Sequence, residues 1–213
     1  MQKNLLITAI DTNIGKTYLV EQICQKLPNI KVIKPIISGF NFDDINNDIY
    51  KIAKSLNIEY NLKNIDIISP WRFKLASSPH IASIKDINFE DLIQFCKKNI
   101  TLAKKSQKHL LIESAGGIMS PINSNKTFKD LALNLDIEII LITSNFLGSL
   151  SQTLCAIEVI KKYNLKIHKI IVNNIKINQN SYLSDDQFIE YVNDYCNLDL
   201  IKIDNFLKNP LDL

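Results

Sequence analysis

The chain has 213 residues, of which 46% are hydrophobic and 22% charged. That balance belongs to a globular protein with a core of its own and excludes wholesale disorder. A net charge of only +3, spread along the chain, excludes a nucleic-acid footprint, and no apolar run approaches the ~18 residues that span a bilayer.

The elements alternate. Asn4–Ala9 reads as a strand, Thr17–Leu27 as a helix, Lys31–Ile33 as a second strand and Asp44–Leu56 as a second helix. A long helical pattern follows at Phe89–Lys105, then a strand at His109–Ile112 and a helix at Phe128–Leu135. The last units are a strand at Glu138–Thr143, a helix at Gly148–Tyr163, a strand at Lys169–Val172 and a helix at Ser184–Cys196. The strands are short, β-branched and apolar at consecutive positions, which suits burial on both faces. Strand alternating with helix implies right-handed βαβ units. The expected fold is a three-layer α/β domain over residues 1–213, with a mostly parallel sheet covered by helices on both faces. Of the 5 glycines, Gly15, Gly116, Gly117 and Gly148 come just after expected strands, and Gly39 follows the second strand by a few residues. Ligands of such sheets bind beyond the carboxyl ends of the strands.

The strongest motif is Ala9-Ile10-Asp11-Thr12-Asn13-Ile14-Gly15-Lys16-Thr17, between the first strand and the first helix. That is the context of a phosphate-binding loop. Backbone N–H groups at the helix start cradle phosphates, Lys16 would neutralise the β- and γ-phosphates, and the Thr17 hydroxyl would bind Mg²⁺. Ala9 stands where such loops begin with glycine, so its φ has to be negative.

Weaker motifs keep two readings each. Lys34, in Lys34-Pro35-Ile36-Ile37-Ser38-Gly39, is a solvated lysine or the partner of a second anion beside the loop; Pro35 stops the strand. Asp48 is a helix surface charge or a metal ligand. Glu113 ends a buried strand ahead of Gly116-Gly117 and is a salt-bridged acid or the carboxylate that reaches Mg²⁺. Gly148 to Thr153 is an ordinary connection or an anion site at a helix start. Asn173-Asn174 is a turn or a reader of a base edge. Arg72 is the only arginine, expected as a packed or surface cation, and His80 is expected at a helix start. Cys24, Cys96, Cys155 and Cys196 form no C-x-x-C pair and are expected as packed thiols.

Taken together, D-T-N-I-G-K-T, K-P-I-I-S-G, N-N-D, S-S-P-H, I-E-S-A-G-G, F-L-G-S and V-N-N resemble the motifs of dethiobiotin synthetases over about four-fifths of the chain. The resemblance implies a P-loop NTPase-like fold and ATP-dependent closure of 7,8-diaminononanoate with CO₂ into dethiobiotin. It implies Lys34, Lys16 and Thr12 as catalytic residues. Asn13, Ile14, Gly15, Lys16, Thr17 and Tyr18 would hold the nucleotide, with Asn173 on adenine. Mg²⁺ would sit on Thr17, Asp48 and Glu113. Thr12, Lys34, Ser38, Gly116 and Gly117 would hold the substrate, with Gly148, Ser149 and Leu150 supplied by the other subunit of a homodimer. The expected setting is the cytoplasm, with no nucleic-acid or membrane partner. The sequence departs from the family at Ala9, Ser114, Ser151 and Gln152, and in the segment Leu200 to Asp204.

Two other classes share this fold. A partition-type or metal-loading ATPase switch carries a second lysine early in the loop, where this chain has Ile10. A corrin-acid amidotransferase carries a further glutaminase domain, for which the 213 residues leave no room.

Overall fold

The structure is a computed structural model that describes residues 2–173 and 183–210. In chain order the elements are β1 (Asn4–Ala9), α1 (Lys16–Lys26), β2 (Ile30–Ile33), β3 (Ile36–Ser38), α2 (Asp48–Ser55), α3 (Leu62–Ile68), β4 (Trp71–Phe73), α4 (Pro79–Ala82), α5 (Phe89–Lys105), β5 (His109–Gly117), α6 (Phe128–Leu135), β6 (Glu138–Thr143), α7 (Ser149–Lys162), β7 (Ile167–Val172), α8 (Asp185–Cys196), β8 (Leu200–Lys202) and α9 (Ile203–Lys208).

Six strands form one parallel sheet in the order β2-β5-β1-β6-β7-β8. Successive side chains point to opposite faces, so each strand feeds two cores. Leu6, Leu110, Ile112, Leu141 and Val172 face one core, which Leu92 of α5, Phe128 of α6, Ile157 of α7 and Phe188 of α8 complete. Leu5, Ile7, Leu111, Ile142 and Ile171 face the other, with Leu19 and Ile23 of α1, Ile52 of α2 and Phe206 of α9. Each such buried side chain contributes roughly 1.5–3 kcal/mol, which explains the consecutive apolar runs. The expected three layers and parallel sheet are therefore present.

The differences are local. The second helix begins at Asp48 rather than Asp44, because Asn47 caps it by accepting from the Tyr50 N–H at 2.8 Å. The third long strand does not stop at Ile112 but runs to Gly117 as β5. Its register against β1 shifts from Ile7↔Glu113 to Ala9↔Gly117, a bulge. Gly116 lies inside that bulge at φ +85, and an added Cβ would come within 2.2 Å of the Ser120 hydroxyl. A Cβ on Gly117 would come within 2.8 Å of the Ala9 carbonyl. These two glycines let β5 close on β1. Pro35 does stop β2, but the chain then re-enters extended geometry as β3 and pairs in parallel with β4 through Ile36↔Trp71 and Ser38↔Phe73. That small second sheet brings the segment after β4 beside Ser38.

All four cysteines are free, but only Cys96 and Cys196 are buried, and Cys155 is exposed on α7, contrary to expectation. Arg72 is held by the Asp66 carboxylate at 2.6 Å and lies over the Phe40 ring, a structural post. No helix of the described residues is long and apolar enough to cross a membrane.

Candidate functional site

At the carboxyl ends of β1 and β5 lies a cleft of about 780 Å³. The loop from β1 to α1 forms one wall. Asn13 at φ 55 and Gly15 at φ 93 are both left-handed, and Gly15 caps α1. Ala9 has no positive φ, so the methyl group that replaces the usual glycine hydrogen is accommodated at the end of a paired strand. Thr12, Asn13, Gly15, Lys16, Thr17 and Tyr18 all line the cleft. Ile14 does not; its side chain is buried in the core.

Beside the loop, and joined to it through Thr17, lies a charged cluster. Lys34, from the segment after β2, is 4% exposed. Its ammonium donates to Glu113 Oε1 at 2.7 Å and to the Asp48 carboxylate. The same Glu113 oxygen accepts from the Thr17 hydroxyl at 2.7 Å. Residues from β5, α1, α2 and the end of β2 thus converge. Burial by itself would lower the Lys34 pKa, but Glu113 and Asp48 overcome it, and the group is held above its ordinary value. Burial likewise works against the Asp48 carboxylate, and Lys34 reverses that, so its pKa falls. Lys16 lacks such close partners. Its ammonium donates to the Asp11 carbonyl at 3.0 Å, and burial followed by Lys34 pushes its pKa down to about 8.

Among the described residues, two buried polar atoms of this cleft have no hydrogen-bond partner: Glu113 Oε2 and Ser38 Oγ. A hydroxyl and two carboxylates are hard oxygen donors, the kind Mg²⁺ takes together with phosphate oxygens and water. The described residues hold no group of three or more His, Cys, Asp or Glu suited to a metal. The Thr17 hydroxyl with the Asp48 and Glu113 carboxylates is a donor set of that chemistry, and the orphaned Glu113 oxygen is compatible with it.

The structure divides the expected substrate contacts. Thr12, Lys34, Ser38 and Gly116 line the cleft. Gly117 is absent from its lining and packs against β1 instead. Gly148, Ser149 and Leu150 are also absent from the lining of this single chain. Gly148 caps α7 at φ 92, the Ser149 hydroxyl donates to the Phe146 carbonyl at 2.7 Å, and Leu150 packs on the core. Asn173 is outside the cleft lining too, and its amide donates to the Ile14 carbonyl at 2.9 Å. Asn174 lies outside the described residues. His80 lies in the first turn of α4, where Nδ1 is 3.0 Å from the Ser78 hydroxyl.

Some lining residues were not singled out beforehand. Glu21 follows Thr17 by one helical turn and Lys51 follows Asp48 by one turn; both face the cleft. Helical spacing from Thr17 and Asp48 was the available signal. Ser77, Ser78 and Pro79 also line it, brought there by the β3–β4 pair.

Comparison with known proteins places the family and the fold. The sequence model of a family described as "AAA domain" matches residues 3–201. An ATP-dependent dethiobiotin synthetase of Legionella pneumophila (strain Paris) is 32% identical over 174 residues, covering 80% of each chain. One from Clostridium botulinum (strain Loch Maree) is 31% identical over 204 residues, covering 87% of each. Among solved structures, the MinD cell division protein of Aquifex aeolicus superposes with a TM-score of 0.53 at 16% identity, covering 97% of this chain and 85% of that one. At that identity the likeness speaks for the P-loop NTPase fold alone.

Proposed function

The chain belongs to the family of ATP-dependent dethiobiotin synthetases, and from that membership together with its cleft we propose that it closes 7,8-diaminononanoate with CO₂ into dethiobiotin at the expense of ATP. The observation that carries the reading is the meeting of Lys16, Lys34, Thr17, Asp48 and Glu113 in one cleft beside a left-handed Asn13–Gly15 loop.

The chemistry demands such a site. One amine of the substrate adds to CO₂ and loses a proton, giving a carbamate. The carbamate oxygen takes the γ-phosphoryl group of ATP, and ADP leaves. The second amine attacks the carbamoyl carbon of this mixed anhydride. Phosphate departs, a proton is lost, and the cyclic urea closes. Carbamate and triphosphate are both anions, so cations must bring them together.

Position in the cleft supports a role for each residue. The loop backbone at Asn13, Ile14 and Gly15 takes the phosphates, with Lys16 on the β- and γ-phosphates and Tyr18 at the cleft mouth. Lys34, in the same cleft, pairs with the carbamate. Thr12 and the unpartnered Ser38 hydroxyl are its polar contacts. Thr17, Asp48 and Glu113 would hold Mg²⁺, which when bound offsets phosphate charge. Gly116 borders the diamine. Gly148, Ser149 and Leu150 would serve a neighbouring copy in a homodimer, which accounts for their distance from the cleft of their own chain. The setting is proposed as cytoplasmic.

The test is phosphate release from MgATP and bicarbonate with and without 7,8-diaminononanoate, with dethiobiotin quantified. Release that requires the diamine, with dethiobiotin formed in step, is the expected result. Release indifferent to the diamine would discard the synthetase reading.

A further inference from the structure

Asn173 is bonded at three points although it is only 4% exposed. Its side-chain amide donates to the Ile14 carbonyl at 2.9 Å. Its backbone N–H donates to the Thr143 carbonyl at 2.8 Å, and its own carbonyl accepts from the Ser144 hydroxyl at 2.7 Å. The network continues: the Thr143 and Thr153 hydroxyls are 2.6 Å apart, and Thr153 donates to the Ser149 carbonyl at 2.7 Å. A buried polar chain therefore joins the phosphate loop, through the ends of β7 and β6, to the first turn of α7.

The consequence lies in the peptide that Asn173 grips. A carbonyl accepts only from the NH₂ end of an amide, so Ile14 sets which way the Asn173 side chain faces. The peptide between Ile14 and Gly15 is planar and trans, so its C=O and N–H point in opposite directions. Drawing the Ile14 carbonyl toward β7 turns the Gly15 N–H the other way. Gly15 lines the cleft, and the preceding loop is left-handed at Asn13, a non-glycine position whose backbone the surrounding structure has to hold.

We propose that Asn173 is a positioning residue of the phosphate loop: it holds the Ile14–Gly15 peptide with its N–H presented to the triphosphate of the nucleotide. The inference rests on the phosphate-loop reading and gives Asn173 a task that does not involve the base.

The probe is inorganic tripolyphosphate, which has no base, measured beside MgATP by calorimetry and by KM. In Asn173→Ala both ligands are expected to bind about tenfold more weakly. Asn173→Asp keeps the shape but sets an acceptor against the Ile14 carbonyl, so it is expected to lose at least as much. Protonation restores an O–H donor, so its tripolyphosphate affinity is expected to recover as pH falls, while that of Asn173→Ala does not. Weakened ATP binding with unchanged tripolyphosphate binding would place Asn173 on the base and overturn the inference, as would a loss in Asn173→Asp that acid does not reverse. Failure of the unaltered protein to bind either ligand would instead overturn the phosphate loop itself. Should the Asn173 variants not fold, Ser144→Ala decides: it frees the Asn173 carbonyl, and a few-fold loss supports the inference where no loss overturns it.

Discussion

The ammonium of Lys34 lies 2.7 Å from Glu113 Oε1, an oxygen that also accepts from the Thr17 hydroxyl. The Asp48 carboxylate flanks the ammonium as a second partner. Lys34 is 4% exposed and Glu113 is fully buried, so water screens this cluster little. Buried ions persist only when compensated, and here one ammonium stands between the two carboxylates proposed to hold a dication.

Replacing Lys34 by Met leaves Glu113 and Asp48 without their cation. Breaking a buried pair in this way costs about 3–5 kcal/mol. We expect a lower melting temperature that millimolar Mg²⁺ partly restores, and a smaller Mg²⁺ effect on the unaltered protein. We also expect ATP binding to survive while dethiobiotin formation is lost. Thermal unfolding with and without Mg²⁺, and ATP binding by dialysis, check both halves; an equal loss of ATP affinity would move Lys34 into the nucleotide site.

Lys16→Ala removes a charge preorganised for the phosphates. A loss of 10²–10³ in phosphate release is expected, about 3–4 kcal/mol. Turnover at the unaltered rate would remove Lys16 from the reaction.

Lys16 also carries a pH signature. Folded, its pKa is about 8; its ordinary value is 10.5. Between those values the unfolded chain holds a proton that the folded chain has released, so this group's contribution to stability rises with pH across that window. Anion binding runs the other way, because it favours the charged form. Triphosphate affinity is expected to fall about tenfold per pH unit above that pKa, with proton uptake on binding. Calorimetry at about pH 8.5 in buffers of different ionisation heat measures the uptake directly. Lys16→Met should abolish it, and its absence in the unaltered protein would contradict the assignment.

Three glycine substitutions separate steric from conformational strain. Gly148→Ala has φ 92 but nothing among the described residues within 4 Å of the new Cβ, so only the left-handed cost of about 1–2 kcal/mol applies. Gly117→Ala meets the Ala9 carbonyl at 2.8 Å, backbone that cannot rotate away. Gly116→Ala combines φ +85 with the Ser120 hydroxyl at 2.2 Å. Chemical denaturation should rank Gly148→Ala as the mildest, and a larger loss there than at Gly117 would refute the packing of β5 on β1.

Much of the fold was legible along the chain. Asn4–Ala9 and Glu138–Thr143 have the expected bounds because strands buried on both faces are apolar at consecutive positions, here Leu5 to Ile7 and Ile139 to Ile142. Phe89–Lys105 does too, since its apolar period is long and Asn88 caps it. The short β3, β4 and β8, each of 3 residues, carry too little periodicity to be read. The extension of β5 to Gly117 was hidden because a bulge, set by pairing with β1, let glycines continue a strand.

By itself the sequence determined the phosphate loop, the parallel α/β architecture and the residue types able to bear charge, because those depend on spacing within one segment. Only the tertiary structure decided who faces whom. The order β2-β5-β1 sets Lys34 against Glu113, which are 79 positions apart. The end of β7 delivers Asn173 to Ile14 across 159 positions. Such pairings follow from which strands lie side by side and in what register, and no local pattern encodes that.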